Sequence, residues 1–432
     1  PGETNSFEIT IPDNISYAVE TIQYGSSVVD TTLTVNNLST GNQYDDNSGV
    51  GLYSFIGFNN QGGRNLTITV GANNSNTLSR FYLQIRKQKA VYYGFEYDDI
   101  STLKDLEKPY NYFSGLYDSY LYENKESSHF QEIDERGYSR YNSEIIFFSG
   151  HGYKDPNSDA RGFGVSFSNT SLYLSDITNM NNVRIAVWSA CYSSNTNNSY
   201  NTSFIDKSVA SGAQAALGFP DSVTTVSSKS FTDDLYEKLA AGYTIGAAAE
   251  YAAKQIIWPW DNAKDYRITG STSTTLNIAN YTKTSSVIAS QDNRISNYYD
   301  LVNNHNYQTY NDGNVTRYYM TINGIITNQF VDVAQDSSIQ SCVTQNYNIG
   351  NEFSVLPILL DYDTVNTATE EKHLVYIIEN NVATPVLISY VTITDHNGRT
   401  YSEAICRNLN NGVFIDYGDI NTVEEENEAH VS

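Results

Sequence analysis

The sequence Ile145-Ile146-Phe147-Phe148-Ser149-Gly150-His151-Gly152 predicts the architecture of the central part of this chain. A second apolar run, Val183 to Trp188, ends in Ser189-Ala190-Cys191. Both runs are short, rich in β-branched or aromatic residues and closed by small residues, a pattern typical of strands buried on both faces of a parallel sheet. The carboxyl ends of such strands meet at the crevice where ligands bind. We therefore expect His151 and Cys191 to face a common ligand.

The residue types at these two strand ends suit a cysteine nucleophile and its acid or base. A thiol attacks a carbonyl as its thiolate, and a nearby imidazole can take the proton and later give it to a leaving amine. Gly152 lacks a side chain, so its N–H can approach a substrate carbonyl, and the N–H of Cys191 can do the same. Two such donors form an oxyanion hole, in which each contributes about 3 to 4 kcal/mol to transition-state stabilisation. The alternative for Cys191 alone is a small buried residue at a strand end.

The two motifs, FFSGHG and IAVWSAC, resemble those of the caspase-like superfamily of cysteine peptidases, nearest in pattern to its gingipain, clostripain and CHAT members. The resemblance continues through Ser203-Phe204-Ile205, Ala215-Ala216-Leu217-Gly218-Phe219 and the segment from Ser230 to Ala249. It implies a caspase-like fold in which Cys191 is the nucleophile, His151 the general acid and base, and Gly152 an oxyanion donor.

Changes in the hydrophobic pattern divide the chain into three predicted modules. Residues 1–88 alternate short strands with Asn, Gly and Ser clusters, which is typical of a β-sandwich-like accessory module. Residues 89–270 alternate strands with helices, which predicts a mostly parallel sheet with helices on both faces. Strands return in residues 271–432, a C-terminal β-rich module. The predicted fold is therefore multidomain, with a central caspase-like α/β domain flanked by two all-β modules.

Individual elements are predicted from periodicity and from the positions of Gly and Pro. In the central module we expect a strand at Ala90–Phe95, helices at Leu103–Leu106 and Tyr110–Tyr122, a polar hairpin at Phe163–Leu174 and two helices between Val223 and Ile257. In the β modules we expect strands at Phe7–Ile11, Thr32–Val35, Leu66–Val70, Phe81–Ile85, Met320–Ile322, Val375–Ile378, Val386–Ile388 and Val391–Ile393, and a turn at Asp395–Gly398.

The net charge of the chain limits the kinds of molecule that it is expected to bind. The chain has 25 basic and 49 acidic residues, a net charge of −24. Because no basic run offsets phosphate repulsion, we expect neither nucleic-acid binding nor binding to an anionic membrane. The sequence contains no run of 18 apolar residues and no signal peptide, so no membrane insertion is expected. This composition, with 36 tyrosines and few lysines, fits a secreted or cell-surface protein.

The spacing of the cysteine, histidine and acidic residues does not match a known metal site, and no required cofactor is expected. Cys342 and Cys406 can pair in an oxidising compartment, or all three cysteines can be free thiols. His129, His305, His373, His396 and His430 lack a partner at metal-ligand spacing, so a zinc site is not expected. The acidic clusters Tyr44-Asp45-Asp46-Asn47 and Tyr97-Asp98-Asp99 lack the full calcium-loop pattern, and structural calcium is unsupported.

The sequence gives a weaker signal for the substrate side chain that the site prefers before the cleaved bond. In the superfamily that the motifs resemble, the residue two positions before the nucleophile often lines the pocket for the side chain preceding the cleaved bond, and here it is Ser189. A serine removes the simplest electrostatic reason for a preference for Lys or Arg. Asp155, Asp159 and Asp221 are candidates to supply negative charge from loops, and Arg161 is a candidate to receive an acidic side chain.

The segment Arg86-Lys87-Gln88-Lys89 concentrates three cations at the junction of the first two modules. One interpretation is that exposed cations guard the edge of the Phe81–Ile85 strand against association. The other is a processing site at an exposed junction, cut by this enzyme or by a trypsin-like one, that frees the crevice from a covering N-terminal module. Cleavage in trans is favoured, because Ser189 does not favour a pocket for cations.

The function that these patterns favour is a secreted cysteine endopeptidase that cleaves peptide or protein substrates through a Cys191 thioester with assistance from His151. The alternative is a catalytically weak scaffold of the same fold that acts as a binding or regulatory surface protein. The presence of both His151 and Cys191 favours the enzyme, because a scaffold has no physical need for the pair.

Overall fold

The computed structural model describes residues 4–11, 16–26, 28–38, 41–46, 49, 52–58, 64–73, 80–97, 101–134, 136–154, 163–168, 170–197, 201–276, 306–311, 315–322, 324–335, 339–343, 367–379, 382–394 and 400–415. The chain divides into two compact units. The first unit contains Pro1–Ala253 and Asn262–Tyr281, and the second contains Lys254–Asp261 and Thr282–Ser432. The first two predicted modules therefore lie in one unit, except for residues 254–261, which belong to the second unit.

The N-terminal part of the first unit consists of short antiparallel strands, as its alternating pattern predicts. The strands are β1 (Thr4–Thr10), β2 (Tyr17–Gln23), β3 (Thr31–Asn36), β4 (Gln43–Asp45), β5 (Phe55–Phe58), β6 (Asn65–Ala72) and β7 (Phe81–Lys87). Among the described residues they form two sheets, in the orders β1-β6-β3-β4 and β5-β2-β7. Alternate residues such as Leu33, Val35, Leu66 and Ile68 are fully buried and form the core of this part.

The central sheet of the first unit is mostly parallel, as predicted. Its strands and the associated elements are β8 (Lys89–Gly94), a 3₁₀ helix (Leu103–Leu106), α1 (Glu107–Phe113), β9 (Asp118–Glu123), α2 (Ser127–Gln131), β10 (Ile145–Ser149), β11 (Gly152–Lys154), β12 (Phe163–Ser166), β13 (Ser171–Tyr173), a 3₁₀ helix (Leu174–Asp176), β14 (Ile185–Ser189), α3 (Phe204–Ala210), β15 (Ala215–Gly218), α4 (Thr225–Ala240), α5 (Ile245–Gln255), a 3₁₀ helix (Asn262–Asp265) and β16 (Arg267–Gly270). Six strands of the described chain pair in the order β16-β15-β14-β10-β8-β9, and β16 alone is antiparallel to its neighbour. The predicted hairpin is present as β12 and β13, which form a small antiparallel sheet with β11.

Helices cover both faces of the central sheet because successive strand residues point to opposite sides. On one face, Phe147 of β10 packs edge to face against Tyr236 of α4. On the other face, Trp188 of β14 packs against Phe130 of α2 and Phe204 of α3. All five side chains are fully buried, so the sheet is sandwiched as its continuous apolar strands require.

One predicted helix is wrong in its second half. The segment Tyr110–Tyr122 was expected to be helical, but α1 ends at Phe113 and Asp118–Glu123 forms strand β9, which pairs in parallel with β8. Tyr120 and Tyr122 alternate with other residues at the period of a strand, and tyrosine favours strands. Pairing with the exposed edge of β8 therefore outweighs the helical periodicity.

The described part of the second unit consists of β-strands. They are β17 (Asn306–Asn311), β18 (Val315–Ile322), β19 (Ile325–Ala334), β20 (Ile339–Val343), β21 (Thr367–Glu379), β22 (Val382–Thr394), β23 (Thr400–Asn408) and β24 (Phe414–Ile415). These strands pair antiparallel, except that β19 and β21 pair in parallel at Thr327 and Tyr376. The predicted strands at Val386–Ile388 and Val391–Ile393 are parts of the single strand β22. The predicted turn at Asp395–Gly398 lies outside the described residues.

A buried arginine organises the second unit. The guanidinium of Arg317 donates two hydrogen bonds to the carboxylate of Asp332, at 2.7 and 2.8 Å. It also donates to the carbonyls of Lys254, Ile256 and Ile257, the segment that follows the body of α5. These bonds explain why residues 254–261 belong to this unit, since a buried cation needs both an anion and carbonyl partners. No helix among the described residues has the length and apolar character needed to cross a bilayer.

Charged side chains cluster at the amino ends of β8 and β10, where the first unit joins its N-terminal sheets to its central sheet. Arg86 donates to Glu20 at 2.6 Å and to Glu144 at 2.9 Å. Arg136 donates to Asp134 at 2.6 Å. These side chains are at most 9% exposed, so the cluster is a buried ion-pair network. We call it the junction network: Glu20, Arg86, Lys89, Asp134, Arg136 and Glu144.

Candidate active site

The structure places His151 and Cys191 at neighbouring strand ends. Strands β10 and β14 are parallel and in register, with Ser149 opposite Ser189. The N–H of Gly150 donates to the carbonyl of Ser189 at 3.2 Å, so the pairing continues one residue beyond the strands. His151 and Cys191 follow directly at the same edge, and each is 7% exposed.

Gly152 lies against the backbone of Cys191. A β-carbon at position 152 would be 1.9 Å from the carbonyl oxygen of Cys191 and 2.9 Å from its nitrogen. No side chain fits in that space, because real β-carbons do not come within 3.0 Å of such atoms. The sequence interpretation that Gly152 allows a close backbone approach is therefore physically sound, although the contact seen is with Cys191 rather than with a ligand.

The ladder between β11 and β12 fixes the direction of the Gly152 N–H. Ser166 donates its N–H to the carbonyl of His151 at 2.8 Å, so His151 and Ser166 form a hydrogen-bonded pair. Pairs alternate in an antiparallel ladder, and Gly152 opposite Val165 is therefore a non-hydrogen-bonded pair. The Gly152 N–H points away from β12, which is the orientation that an oxyanion donor at this position needs.

The Cys191 sulfur is held by the loop between β15 and α4. The N–H of Val223 donates to Sγ at 3.3 Å, and Sγ donates to the carbonyl of the same residue at 3.4 Å. The N–H stabilises the thiolate form and the carbonyl stabilises the thiol form, so Val223 holds the sulfur in both forms. Sequence reasoning missed Val223, since a backbone group in a loop gives no residue-type signal.

The turn that carries Cys191 is tightly constrained. Tyr192 has a φ of +59°, in the left-handed region that a bulky side chain rarely adopts. The hydroxyl of Ser193 donates to the carbonyl of Trp188 at 2.7 Å and accepts the N–H of Phe219 at 3.0 Å. The N–H of Tyr192 donates to the carbonyl of Asp221 at 3.2 Å. Such contacts hold the strained turn in place at the candidate nucleophile.

An aromatic side chain positions the imidazole. The rings of Tyr97 and His151 have centroids 4.5 Å apart and are tilted by 41°. The Tyr97 hydroxyl donates to the carbonyl of Ser166 at 2.6 Å, which fixes the phenol ring. A β-carbon at Gly150 would be 2.6 Å from that hydroxyl, so the glycine makes room for the ring. Sequence reasoning gave Tyr97 no role at the site.

The strand that precedes His151, β10, also carries a buried polar side chain, that of Ser149. The Ser149 hydroxyl donates to the carboxylate of Asp105 at 2.5 Å, and the Thr102 hydroxyl donates to the Ser149 carbonyl at 2.7 Å. Asp105 lies in the 3₁₀ helix Leu103–Leu106 and is buried. Sequence reasoning missed Asp105 because its segment carries no motif.

The structure describes two of the five residues that were predicted to determine specificity, Ser189 and Asp221. Ser189 is 2% exposed, and its hydroxyl has no hydrogen-bond partner within the described part of the chain. Asp221 is exposed and lies beside the Cys191 turn through its carbonyl. Asp155, Asp159 and Arg161 lie outside the described residues.

The cations at the module junction are not a uniformly exposed segment. Arg86 and Lys89 belong to the junction network, and only Lys87 is exposed. Gln88 is buried and donates to the carbonyls of Tyr17 and Phe58. The expectation of an exposed junction is therefore corrected, because ion pairing and hydrogen bonding hold this backbone in place. Such burial argues against a processing site and leaves edge protection to Lys87 on the edge strand β7.

The histidines and acidic residues at which no metal site was expected pack or hydrogen-bond within the fold where they are described. His129 packs against Tyr93 and Tyr122, and burial lowers the pKa of His129. His373 stacks on Trp260, and burial likewise lowers the pKa of His373. Asp45 accepts a hydrogen bond from the N–H of Phe55.

Several of these predictions fall outside what the structure describes. His305, His396, His430, Asp98 and Asp99 lie outside the described residues, as does the side chain of Cys342, so the Cys342–Cys406 bridge stays a prediction. No group of three potential metal ligands occurs among the described side chains.

Comparison with known proteins gives one family. The family model of the CHAT domain matches residues 119–290, a segment that contains both strand-end motifs and extends from β9 past β16. No curated protein matches the chain. CHAT domains are related to the caspase-like cysteine peptidases, so the match confirms the superfamily that the motifs ending in His151 and Cys191 resemble. The central part of this chain is thus similar to a CHAT domain of the caspase-like superfamily.

Proposed function

We propose that this protein is a cysteine endopeptidase with a caspase-like catalytic domain, in which His151 and Cys191 form the catalytic dyad. The observation that carries the proposal is the packing of Gly152 against the backbone of Cys191, with the Val223 N–H on the sulfur. Two strand ends brought this close place an imidazole, a thiol and backbone donors at a single edge.

The proposed reaction has two steps. The Cys191 thiolate attacks the carbonyl carbon of the scissile peptide bond, and the tetrahedral intermediate collapses to a thioester as His151 protonates the departing amine. A water molecule then attacks the thioester while His151 takes its proton. The carboxylic acid leaves and the thiol is restored.

The oxyanion of each tetrahedral intermediate is assigned to the N–H groups of Gly152 and Cys191. Supporting this assignment, the Gly152 N–H points away from the β11–β12 ladder and the residue lies against Cys191. Each donor is expected to contribute about 3 to 4 kcal/mol to the barrier reduction.

The test is labelling with an acyloxymethyl-ketone or vinyl-sulfone peptide probe, read by intact mass and by the modified peptide. We expect one equivalent on Cys191, lost in Cys191→Ala and in His151→Ala. Cys406→Ala is the matched control, because Cys406 is also buried but lies in the second unit. The melting temperature of Cys191→Ala checks that the variant is folded, because Cys191 is buried and its sulfur bonds to Val223.

The alternative is a scaffold of the same fold with little turnover. It draws support from the burial of the dyad, because His151 and Cys191 are each only 7% exposed and Val223 contacts the sulfur through both its N–H and its carbonyl. Absence of probe labelling across about pH 5 to 9, where a thiolate can form, would favour the scaffold. Equal peptide cleavage by the parent and His151→Ala would also overturn the assigned roles.

We propose that the protein acts outside the cell or at its surface. The support is the net charge of −24 together with a composition rich in Tyr and polar residues and poor in Lys. Fractionation of the producing cell with an antibody to the chain tests this location, and detection confined to the cytosol would contradict it.

A further inference from the structure

Strand β17 lies at the edge of the sheet in the second unit. It pairs with β18 on one side and begins the order β17-β18-β19-β21-β22-β23-β24 of the described strands. An edge strand presents a row of N–H and C=O groups on its open side, and these groups can pair with another chain. Proteins therefore usually keep such strands short or place charged residues on them.

The other edge strands of six or more residues in the described chain carry charge. Their charged residues are Glu8 in β1, Arg86 and Lys87 in β7, and Asp118 and Glu123 in β9. The remaining edge strands of the described sheets have five residues or fewer. β17 has six residues, with the sequence NYQTYN, and no charge. It therefore lacks both of the usual protections.

The side chains of β17 are open to solvent. The residues from Tyr307 to Asn311 are all exposed, and Tyr307 and Tyr310 are 42% and 40% exposed. Tyr307 packs against Tyr318 and Tyr310 against Tyr319, with ring centroids 5.4 and 5.5 Å apart. Such cross-strand aromatic contacts stabilise an antiparallel pair. β17 is thus held in the extended conformation that a further strand needs for pairing.

We propose that β17 pairs with β17 of a second copy of this chain and forms a weak, two-fold symmetric dimer. Each copy has a net charge of −24, so most of its surface repels another copy. Two β17 strands meet without like charges opposite each other, and each brings a free edge of the same length. The inference does not depend on the peptidase function.

The size of the contact sets its strength. Six residues a side are fewer than the about 20 to 30 residues a side of a standard interface. The dimer should therefore form at high protein concentration and dissociate on dilution.

Antiparallel geometry limits the register of this pairing. Opposite residues of an antiparallel pair lie on the same face of the sheet, and successive residues alternate between faces. A strand that pairs with its own copy must therefore place one residue opposite itself, on the two-fold axis. At the centre of β17 this residue is Gln308 or Thr309.

Analytical ultracentrifugation of the full chain tests the dimer. We expect the average mass to rise from monomer towards dimer between about 1 µM and about 1 mM, the range of weak association. Added salt should strengthen the association, because salt screens the repulsion between two chains of charge −24 and the interface itself is uncharged. A monomer mass at every concentration overturns the proposal, as does an association that salt weakens.

A charge placed on β17 should break the dimer. Thr309→Lys brings two cations together across the axis, so we expect the dissociation constant to rise by about tenfold or more. Thr309 is exposed, so the melting temperature at a concentration that gives monomer should be unchanged. Asn5→Lys is the matched control, because Asn5 is exposed on the edge strand β1 and the change in charge is the same. Equal dissociation constants for the two variants overturn the proposal.

Disulfide formation identifies the strand and its register. Residues opposite each other in an antiparallel pair have Cα atoms about 4.5 to 5.5 Å apart, a distance that a disulfide spans. Gln308→Cys and Thr309→Cys are oxidised separately at a concentration that gives dimer, with the parent and Asn5→Cys as controls. We expect a covalent dimer from the variant whose cysteine lies on the axis. No covalent dimer from either β17 variant, or an equal yield from the controls, overturns the pairing.

Discussion

The two ends of the central sheet differ in charge and in backbone strain. At the amino ends of β8 and β10, the buried charges of the junction network are paired, with Glu144 between Arg86 and Arg136. At the carboxyl ends of β10 and β14, Ser189 has a buried hydroxyl with no described partner and Tyr192 has a strained backbone. The charges of the amino end are paired within the protein, and Glu20 Oε2 and Arg136 Nη1 are the network atoms without a described hydrogen-bond partner. At the carboxyl end, the buried Ser189 hydroxyl and the strained Tyr192 backbone cost free energy. Binding of a substrate can offset that cost, as expected of a functional site.

The largest effect on stability is expected from breaking the amino end. Glu144→Gln removes the carboxylate that faces two buried arginines, and a buried pair that loses one partner destabilises a protein by about 3 to 5 kcal/mol. Chemical denaturation should show that loss in the free energy of unfolding. Activity per folded molecule should not change, because the dyad lies at the other end of the strands.

Glu123→Gln is the matched control, because Glu123 is an exposed glutamate in the same sheet. Its effect on unfolding should be within about 0.5 kcal/mol. A small effect of Glu144→Gln, similar to that of Glu123→Gln, would show that the network is not a stabilising feature.

The next effect is expected in activity, at the carboxyl end. Gly152→Ala places a β-carbon 1.9 Å from the Cys191 carbonyl, so the two strand ends must separate and the proposed oxyanion donor moves. Loss of one such donor lowers kcat by about a hundredfold to a thousandfold. Steady-state kinetics on a peptide substrate measures this loss.

Gly115→Ala is the control for a glycine replacement, since a β-carbon at Gly115 meets no atom within 4 Å. That variant should keep the parent's kcat and melting temperature. If Gly152→Ala has full activity, the contact between Gly152 and Cys191 is not needed for the site.

The smallest effect is expected in the response to acid. Burial tends to raise the pKa of Asp134, but Arg136 and Lys89 outweigh it and hold the pKa below its usual range. The same balance, set by Arg86 and Arg136, lowers the pKa of Glu144. A carboxylate with a lowered pKa in the folded state adds stability above its unfolded pKa of about 4, and that stability is lost as the pH falls through the folded value.

Melting temperatures measured from about pH 6 down to pH 3 test this prediction within the range where carboxylates titrate. The parent should lose stability steeply in acid, and Asp134→Asn should give a flatter curve from a lower starting point. Parallel curves for the two proteins would contradict the role of Asp134.

The sequence predicts the strand ends well because their signal is local. The apolar runs before His151 and Cys191 and the small residues that close them need no knowledge of distant contacts. Asp105 and Val223 are different, since their contacts with Ser149 and Cys191 arise only when distant segments meet. The helix predicted through Tyr122 fails for the same reason, because the free edge of β8 decides the conformation of that segment.

The contact between Val223 and the Cys191 sulfur, made across 32 residues of chain, also bears on when the site can exist. The ribosome delivers His151 first, Cys191 next and Val223 last. A nascent chain that ends before Val223 therefore lacks one of the groups that surround the thiol, and the turn after Cys191 lacks its contact with Phe219 until β15 has emerged. For a peptidase, this order delays the appearance of a competent thiol until most of its domain has left the ribosome, which protects the chains being made beside it.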